Sequence, residues 1–357
     1  MKTIELPLSR NYVRDWGLKE AVRELIQNAL DSHSPMEYAF VGNTLVVGNA
    51  DVVLDPKTLI LGCTSKAGDD SKIGQFGEGY KIALLVLARE GYSVTMRNGQ
   101  ENWVPSMRHS DTYGDEVLHI DMYPVDIPGQ PDRLEFRITD LTNTESNDIY
   151  DSCLHMQPLM DDAIETPRGR ILPSHPNKLY VRGLYVCDTE LNYGYDINPE
   201  YLHLDRDRMS VSDFDLQQQT KEMWFITQRW DDIATMMDEE VPDLTYAEYG
   251  APELVKEACY RRFVEKNPGA VIASSHKERE ELVAKGLTVV QVSSRGYYSA
   301  VSSSGSYQRD SGALIRVATP AEWLASWVER NQRNMSLPLR QQFKQVTAEA
   351  TKWSVKR

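Results

Sequence analysis

Residues 18–32 read LKEAVRELIQNALDS, and the fold assignment rests on this stretch. Apolar residues recur there at the spacing of one helix face: Leu18, Ala21, Val22, Leu25, Ile26 and Ala29. The pattern predicts an amphipathic helix with its N-cap at Asp15. Glu24, Asn28 and Asp31 lie at i, i+4 and i+7 and share a second face, roughly 120° from the apolar one. Taken alone, such a polar face is most often a solvated surface.

The residue types on this second face suit phosphate chemistry. A carboxylate such as that of Glu24 can orient and deprotonate a water molecule. An amide oxygen such as that of Asn28 is a hard, neutral ligand for Mg²⁺ that leaves room for phosphate oxygens. The helix therefore offers a candidate base and a candidate metal ligand one turn apart.

A glycine-rich segment, Gly74-Gln75-Phe76-Gly77-Glu78-Gly79-Tyr80-Lys81, leads into a second, apolar helix predicted over residues 80–89. Glycines let the backbone approach phosphate closely, and the N-terminus of the following helix offers unpaired N–H groups. Lys81 adds a positive charge. Flexible turns also produce such a pattern by chance. A P-loop is absent from the sequence, and a dinucleotide fingerprint fails because the polar residues 66–72, not a strand, precede the glycines.

Two further segments lie between these pieces. Residues 45–51, LVVGNAD, end a predicted strand in small and polar residues, and Thr64-Ser65-Lys66 precedes the glycine-rich segment. In this order the chain resembles the GHKL ATPases (gyrase, heat-shock chaperone, histidine kinase and mismatch-repair proteins), which bind ATP in the Bergerat fold. The resemblance is specific over residues 15–95. Residues 24–31 match the first motif of that superfamily, and residues 74–80 match the phosphate loop of its chaperone and MORC branches.

The resemblance implies a role for each matching residue. Glu24 would be the general base and Asn28 the Mg²⁺ ligand, with Asp31 beside them. The implied phosphate-binding and lid residues are Thr64, Ser65, Lys66, Gly74, Gln75, Phe76, Gly77, Glu78, Gly79, Tyr80 and Lys81. Relatives often bring a basic residue from a second domain onto the γ-phosphate, which Arg206 or Arg208 could do; a surface network of Asp and Arg explains these two residues equally well.

One segment departs from the superfamily pattern. Relatives usually have Asp-x-Gly-x-Gly where this chain has Asn-Ala-Asp-Val-Val at residues 49–53. Asn49 aligns best with the aspartate that accepts a hydrogen bond from the adenine amine, and Asp51 is the rival candidate. Because both glycines are missing, the shape of the adenine pocket and the choice of nucleotide stay open.

Composition narrows the class of protein. The chain has 357 residues, of which 41% are hydrophobic and 26% charged, as in an ordinary globular protein. It contains no run of about 18 apolar residues and no apolar secretory core near the N-terminus, so we expect a cytoplasmic protein without a membrane span. The four cysteines are far apart and favour neither a zinc site nor a disulfide framework.

A net charge of −14 disfavours nucleic-acid binding by most of the surface. Residues 329–357 differ, because they carry seven Lys or Arg against two Glu. This basic tail, residues 330–357, could contact nucleic acid or an acidic partner. A solvated helical end is the favoured alternative.

We predict two domains. Residues 1–210 would form the ATP-binding domain, an α/β fold of the α+β two-layer sandwich type, and residues 211–357 a smaller α/β and helical C-terminal region. In that second region we expect one long helix over 215–239, a small α/β unit over 252–292 and a mobile loop over 293–312. Residues 178–186 are expected to form a single strand of the first domain.

The expected function is Mg²⁺-dependent binding and slow hydrolysis of ATP, which would drive a conformational change or closure of a homodimer, with a protein partner. The alternative is an ATP-binding interaction module with little or no hydrolysis; the presence of Glu24 argues against it, because pure binding needs no base. A histidine kinase is disfavoured, because none of the seven histidines is followed by an acidic residue.

Overall fold

The computed structural model of the chain describes residues 1–59, 79–125, 131–202, 204, 211–314, 324, 327, 328, 331 and 335–354. Helices and antiparallel sheets are combined in an α+β architecture. The chain separates into two compact units. The first comprises Met1–Ala163, Arg168–Thr189 and Gly194–Val211, and the second comprises Ile164–Pro167, Glu190–Tyr193 and Ser212–Arg357.

Seven antiparallel strands form the main sheet of the first unit. They are β1 (Lys2–Ser9), β2 (Met36–Val41), β3 (Thr44–Ala50), β4 (Val94–Asn98), β5 (Glu101–Ser110), β6 (Asp115–Pro124) and β7 (Arg133–Ile138). Their order across the sheet is β1-β6-β5-β4-β7-β3-β2. Strands β2 and β3 form a hairpin whose two-residue turn uses Gly42 at a φ of +61°, a conformation that glycine adopts without strain. Alternating side chains such as Leu45 and Val47 are fully buried and direct one face of the sheet into the core.

Three α-helices in the described part of the chain belong to the same unit: α1 (Leu18–Leu30), α2 (Gly79–Glu90) and α3 (Asn143–Asp151). Helix α1 packs against α2, β2 and β3, while α2 packs against β4 and β5. The predicted helix over residues 18–32 is confirmed, but its predicted N-cap, Asp15, is wrong. Gly17 occupies that position, because the Glu20 carboxylate reaches back and accepts the Gly17 N–H at 2.8 Å.

Helix α2 is buried almost all round, from Tyr80 to Leu87. It ends where Gly91 adopts a φ of +88°, and the N–H of Tyr92 then donates to the carbonyl oxygen of Leu87 at 3.0 Å. The predicted helix over residues 80–89 is therefore confirmed.

A second group of strands follows: β8 (Ile164–Thr166), β9 (Gly169–Leu172), β10 (Lys178–Val181), β11 (Leu184–Asp188) and β12 (Gly194–Ile197). Within the first unit the order is β11-β10-β12-β9, and β10 is parallel to β12. The single strand predicted over residues 178–186 is wrong. Arg182 and Gly183 adopt left-handed φ values of +51° and +77° and reverse the chain between β10 and β11.

The second unit contains most of the remaining elements. They are α4 (Asp213–Ile226), α5 (Trp230–Asp238), α6 (Glu253–Lys266), β13 (Val271–Ala273), α7 (His276–Ala284), β14 (Val289–Gln291), α8 (Arg295–Ser303), α9 (Gly305–Leu314) and α10 (Leu337–Ser354). The predicted α/β unit over residues 252–292 is confirmed, with β13 and β14 parallel.

Two predictions for this unit are wrong. The long helix over residues 215–239 is two helices, because Gln228 takes a φ of +57° between α4 and α5. The loop over residues 293–312 is helical. There the hydroxyl oxygens of Ser294 and Ser304 accept the N–H groups of Tyr297 and Tyr307 and cap α8 and α9.

Candidate functional site

The first residue of α2 lies against the polar face of α1. A Cβ atom placed on Gly79 would overlap Oε2 of Glu24 and would come within 3.5 Å of Nδ2 of Asn28. Glu24 is only 4% exposed, so its carboxylate is enclosed at this contact between the two helices. The structure thus brings together three of the residues that the sequence predicted for one site.

The amide of Asn28 is oriented by its own helix. Its Nδ2 donates to the carbonyl oxygen of Glu24 at 2.7 Å. Because the NH₂ group is committed to that hydrogen bond, the atom of Asn28 that would ligate Mg²⁺ is Oδ1. The single oxygen that Asn28 offers therefore fits a hard cation, such as Mg²⁺, that takes one ligand from the protein.

The start of α2 has the features of an anion-binding end. The first N–H groups of a helix lack partners within the helix, and the helix dipole is positive there. Lys81 lies in this first turn and is fully buried, with Nζ 5.8 Å from the ring centroid of Tyr80. The hydroxyl groups of Tyr80 and Thr58 are 2.8 Å apart, and burial raises the pKa of Tyr80 to about 12. Tyr80 is therefore a neutral hydroxyl at physiological pH, and Lys81 is the basic side chain of this turn.

The two candidates for adenine recognition lie in different environments. Asn49 is 1% exposed, and its Nδ2 donates to the carbonyl oxygens of Ala29, Ser34 and Pro35 at 3.0, 2.8 and 3.1 Å. These bonds hold the NH₂ group against the last turn of α1 and the chain that follows it, and leave Oδ1 as the acceptor. Asp51 is exposed and adopts a φ of +57° after the end of β3. Asn49 is thus buried and oriented whereas Asp51 is exposed, and which of them would contact adenine stays open.

The Asp31 carboxylate forms an ion pair with Arg182. Asp31 is the C-cap residue of α1, its side chain is 0% exposed, and its Oδ1 accepts from Nη1 of Arg182 at 2.7 Å. Nη2 of the same arginine donates to the carbonyl oxygen of Leu30 at 2.9 Å. The structure therefore places the Asp31 carboxylate in an ion pair at the end of α1, and its implied contact with nucleotide stays a prediction.

Several predicted site residues lie outside the described part of the chain: Thr64, Ser65, Lys66, Gly74, Gln75, Phe76, Gly77, Glu78, Arg206 and Arg208. Their implied roles stay predictions. Cys63 and part of the basic tail also lie outside it. Cys153, Cys187 and Cys259 are free thiols.

Arg182 and Thr58 were not identified from the sequence. Each contacts a predicted site residue, but neither stands in a motif, and Arg182 lies in what had been predicted as the middle of a strand. Among the residues that the structure describes, no three His, Cys, Asp or Glu side chains gather into a metal site.

No family model matches the chain. An uncharacterized protein of Mycoplasma pneumoniae is 22% identical over 210 residues, which cover 55% of this chain and 84% of that protein. Within the described ranges, no helix is both long and apolar enough to cross a membrane.

Proposed function

We propose that this chain binds Mg·ATP and hydrolyses it slowly, with Glu24 as the general base and Asn28 as the Mg²⁺ ligand. One observation carries the proposal: the backbone of Gly79, at the start of α2, lies against both Glu24 and Asn28 without room for a side chain between them. A carboxylate, an amide and a helix N-terminus at one place form a set of groups that can receive a metal-bound phosphate.

The Bergerat fold is part of the same proposal. Its support is the resemblance of residues 24–31 and 74–80 to the GHKL motifs, together with the packing of α1 and α2 against an antiparallel sheet. Asn49 would accept the adenine amine through Oδ1, in place of the aspartate usual in that superfamily.

Each side chain has a distinct task in the proposed reaction. Asn28 would hold the cation through Oδ1, and the N–H groups at the start of α2 together with Lys81 would bind phosphate oxygens. Mg²⁺, when bound, neutralises charge on the phosphates. Glu24 would orient the attacking water and accept its proton. Phosphoryl transfer asks little covalent chemistry of the protein, so positioning this water is the main task left for a side chain.

The decisive experiment compares Glu24→Gln with wild type for phosphate release and for nucleotide affinity. We expect the variant to bind Mg·ATP at least as tightly, because it removes a negative charge near the phosphates, and to hydrolyse about 10²–10⁴-fold more slowly. Glu20→Gln, one turn earlier on α1, is the matched control and should keep its turnover. Equal rates in Glu24→Gln and wild type would remove Glu24 as base, and binding without turnover by wild type would favour the interaction module.

ATP hydrolysis would drive a conformational change, as in the superfamily that the motifs resemble. ATP would then promote closure of a homodimer or the capture of a protein partner. A measurement of molecular mass with a non-hydrolysable ATP analogue tests the first. If Glu24→Gln cannot complete the cycle, it should accumulate in the closed state with ATP itself.

A further inference from the structure

We infer that Arg182 is a positioning residue for this site: it holds the last turn of α1, and with it Asn28, in the geometry that binds Mg·ATP. The inference rests on the proposed function. It concerns a residue far away in the sequence, on the turn between β10 and β11.

The contacts join two elements at the end of a helix. One arginine bonds Oδ1 of Asp31 through Nη1 and the carbonyl oxygen of Leu30 through Nη2, at 2.7 and 2.9 Å. The planar guanidinium suits this double contact, because its N–H groups are held in a fixed fork. The Asp31 side chain is 0% exposed and that of Arg182 is 34% exposed, so the carboxylate side of the pair is withdrawn from water.

The C-terminal end of helix α1 is stabilised by a basic partner from outside the helix. Its last turn contains no basic residue. The final carbonyl groups of a helix lack partners within it, and the helix dipole is negative there. Asp31 adds a further negative charge at the same place. Arg182 therefore offsets an unfavourable charge and satisfies a terminal carbonyl group at once.

The turn that carries Arg182 is itself held firmly. Arg182 has a left-handed φ of +51°, which is uncommon for a residue with a side chain. Its carbonyl oxygen lies 3.0 Å from Nε2 of His155, and the next N–H, that of Gly183, donates to Oδ1 of Asp196 at 2.6 Å. A Cβ atom on Gly183 would overlap the His155 ring. The backbone that carries Arg182 is therefore held in place by His155 and Asp196.

The position of each site residue along α1 sets the expected effect. Asn28 stands in the last turn, which frays first when a helix end loses its cap. Glu24 stands one turn further inside and packs against Gly79. Loss of the Arg182 contacts should therefore weaken metal-dependent binding and leave the chemical step nearly unchanged.

The test is Arg182→Lys, which keeps the charge but cannot make both contacts. Calorimetry with Mg·ATP should show affinity reduced about fivefold to tenfold, the scale of losing a helix cap or a charged contact at a helix end. Affinity for ATP in EDTA should stay unchanged, KM should rise, and kcat should stay within about twofold. Amide exchange of residues 28–31 should become faster.

Arg108→Lys is the matched control, because Arg108 pairs with Asp121 at 2.8 Å between β5 and β6, and neither residue bonds the turn that carries Arg182. It should lower the stability of the fold but leave the ratio between the affinities for Mg·ATP and for metal-free ATP unchanged. The double variant Asp31→Asn/Arg182→Met removes both charges. It should regain most of the stability lost in Arg182→Met and keep the weak Mg·ATP binding.

The possible failures are distinguishable. Unchanged Mg·ATP affinity in Arg182→Lys, or an equal loss with and without the metal, overturns the role of Arg182 while the proposed function stands. If wild type binds no Mg·ATP, the proposed function fails, and the role of Arg182 fails with it.

Discussion

Gly79 and Glu24 face each other so closely that a Cβ atom on the glycine would occupy the place of Oε2 of the carboxylate. The first residue of α2 is thus fitted to a side chain in the middle of α1. Because the overlap involves the end of a flexible side chain and not the backbone, a larger residue at 79 would move the carboxylate before it disturbed the fold.

Gly79→Ala should therefore lose hydrolysis while the protein stays folded. We expect phosphate release to fall by about tenfold or more, since the displaced carboxylate is the proposed base. The melting temperature should change by only a few degrees. In a Glu24→Ala background the added methyl group has space, so the same substitution should then cost almost no stability, which calorimetric melting of the four proteins can measure.

Gly48→Ala is the control for this comparison. A Cβ atom there would overlap the backbone carbonyl oxygen of Leu134 on the neighbouring strand, which cannot move aside cheaply. It should lower the melting temperature strongly. If Gly79→Ala lowered it as much, the close fit at Gly79 would serve folding and not the site.

Asn28→Ala should abolish the dependence of ATP binding on Mg²⁺. Its Oδ1 is the proposed metal ligand, and loss of the side chain also removes a hydrogen bond to the Glu24 carbonyl oxygen. Calorimetry should give nearly equal affinities with Mg²⁺ and with EDTA, and circular dichroism should show an intact fold. An unchanged preference for Mg·ATP would contradict the assignment.

Asn98→Ala is a suitable comparison for that variant. Asn98 is also buried in the first unit, and its amide bonds both the N–H and the carbonyl oxygen of Leu54. Its replacement should reduce stability by about 1–3 kcal/mol, because backbone groups lose their partner. The preference for Mg·ATP over metal-free ATP should survive.

Asn49→Asp introduces the residue type usual in the GHKL superfamily, yet we expect it to be harmful here. The Asn49 NH₂ group donates to three backbone carbonyl oxygens, and an aspartate would face the same oxygens as an acceptor. Chemical denaturation should show a loss of about 1–3 kcal/mol or more. Asp51→Asn, at an exposed left-handed position that asparagine tolerates, should be nearly neutral.

The capping box of α3 should make stability sensitive to acid. Hydrogen bonds from Tyr92 and from the N–H and hydroxyl of Thr142 hold the pKa of Glu145 below its usual value. Since the folded state lowers this pKa, the stabilisation is present above the unfolded pKa and is lost as pH falls through the folded one. Glu145→Gln should therefore be less stable than wild type at pH 7 and approach it at pH 3 in urea titrations.

Glu116→Gln provides the contrast, because Glu116 only pairs with Arg10 at the surface, where both side chains are about half exposed. Exposed pairs contribute little, so its stability should follow that of wild type at both pH values. A pH-independent difference between Glu145→Gln and wild type would argue against the capping carboxylate as the acid-sensitive group.

Local pattern made part of this molecule predictable. Glu24 and Asn28 lie on one helix, so helical spacing alone places them one turn apart. The ion pair of Arg182 with Asp31 joins residues far apart in sequence, and no local pattern encodes such a contact. The apolar spacing continues past Gln228 and so predicts one helix, whereas the left-handed φ of Gln228 separates α4 from α5. The abundance of Ser, Gly and Tyr over residues 293–312 predicts a loop, whereas the hydroxyl groups of Ser294 and Ser304 cap helices there.

The pairing of β1 with β6 has a consequence for synthesis on the ribosome. Lys2 stands opposite Met122, so β1 stays unpaired during translation until β6 has left the exit tunnel. The last turn of α1, which carries Asn28, lacks its contact with Arg182 for longer still, because Arg182 is translated after β6. Under the proposed function, a nascent chain would carry Glu24 and Asn28 long before it could bind nucleotide, and translation stalled before β10 would yield the main sheet without the Arg182 contacts.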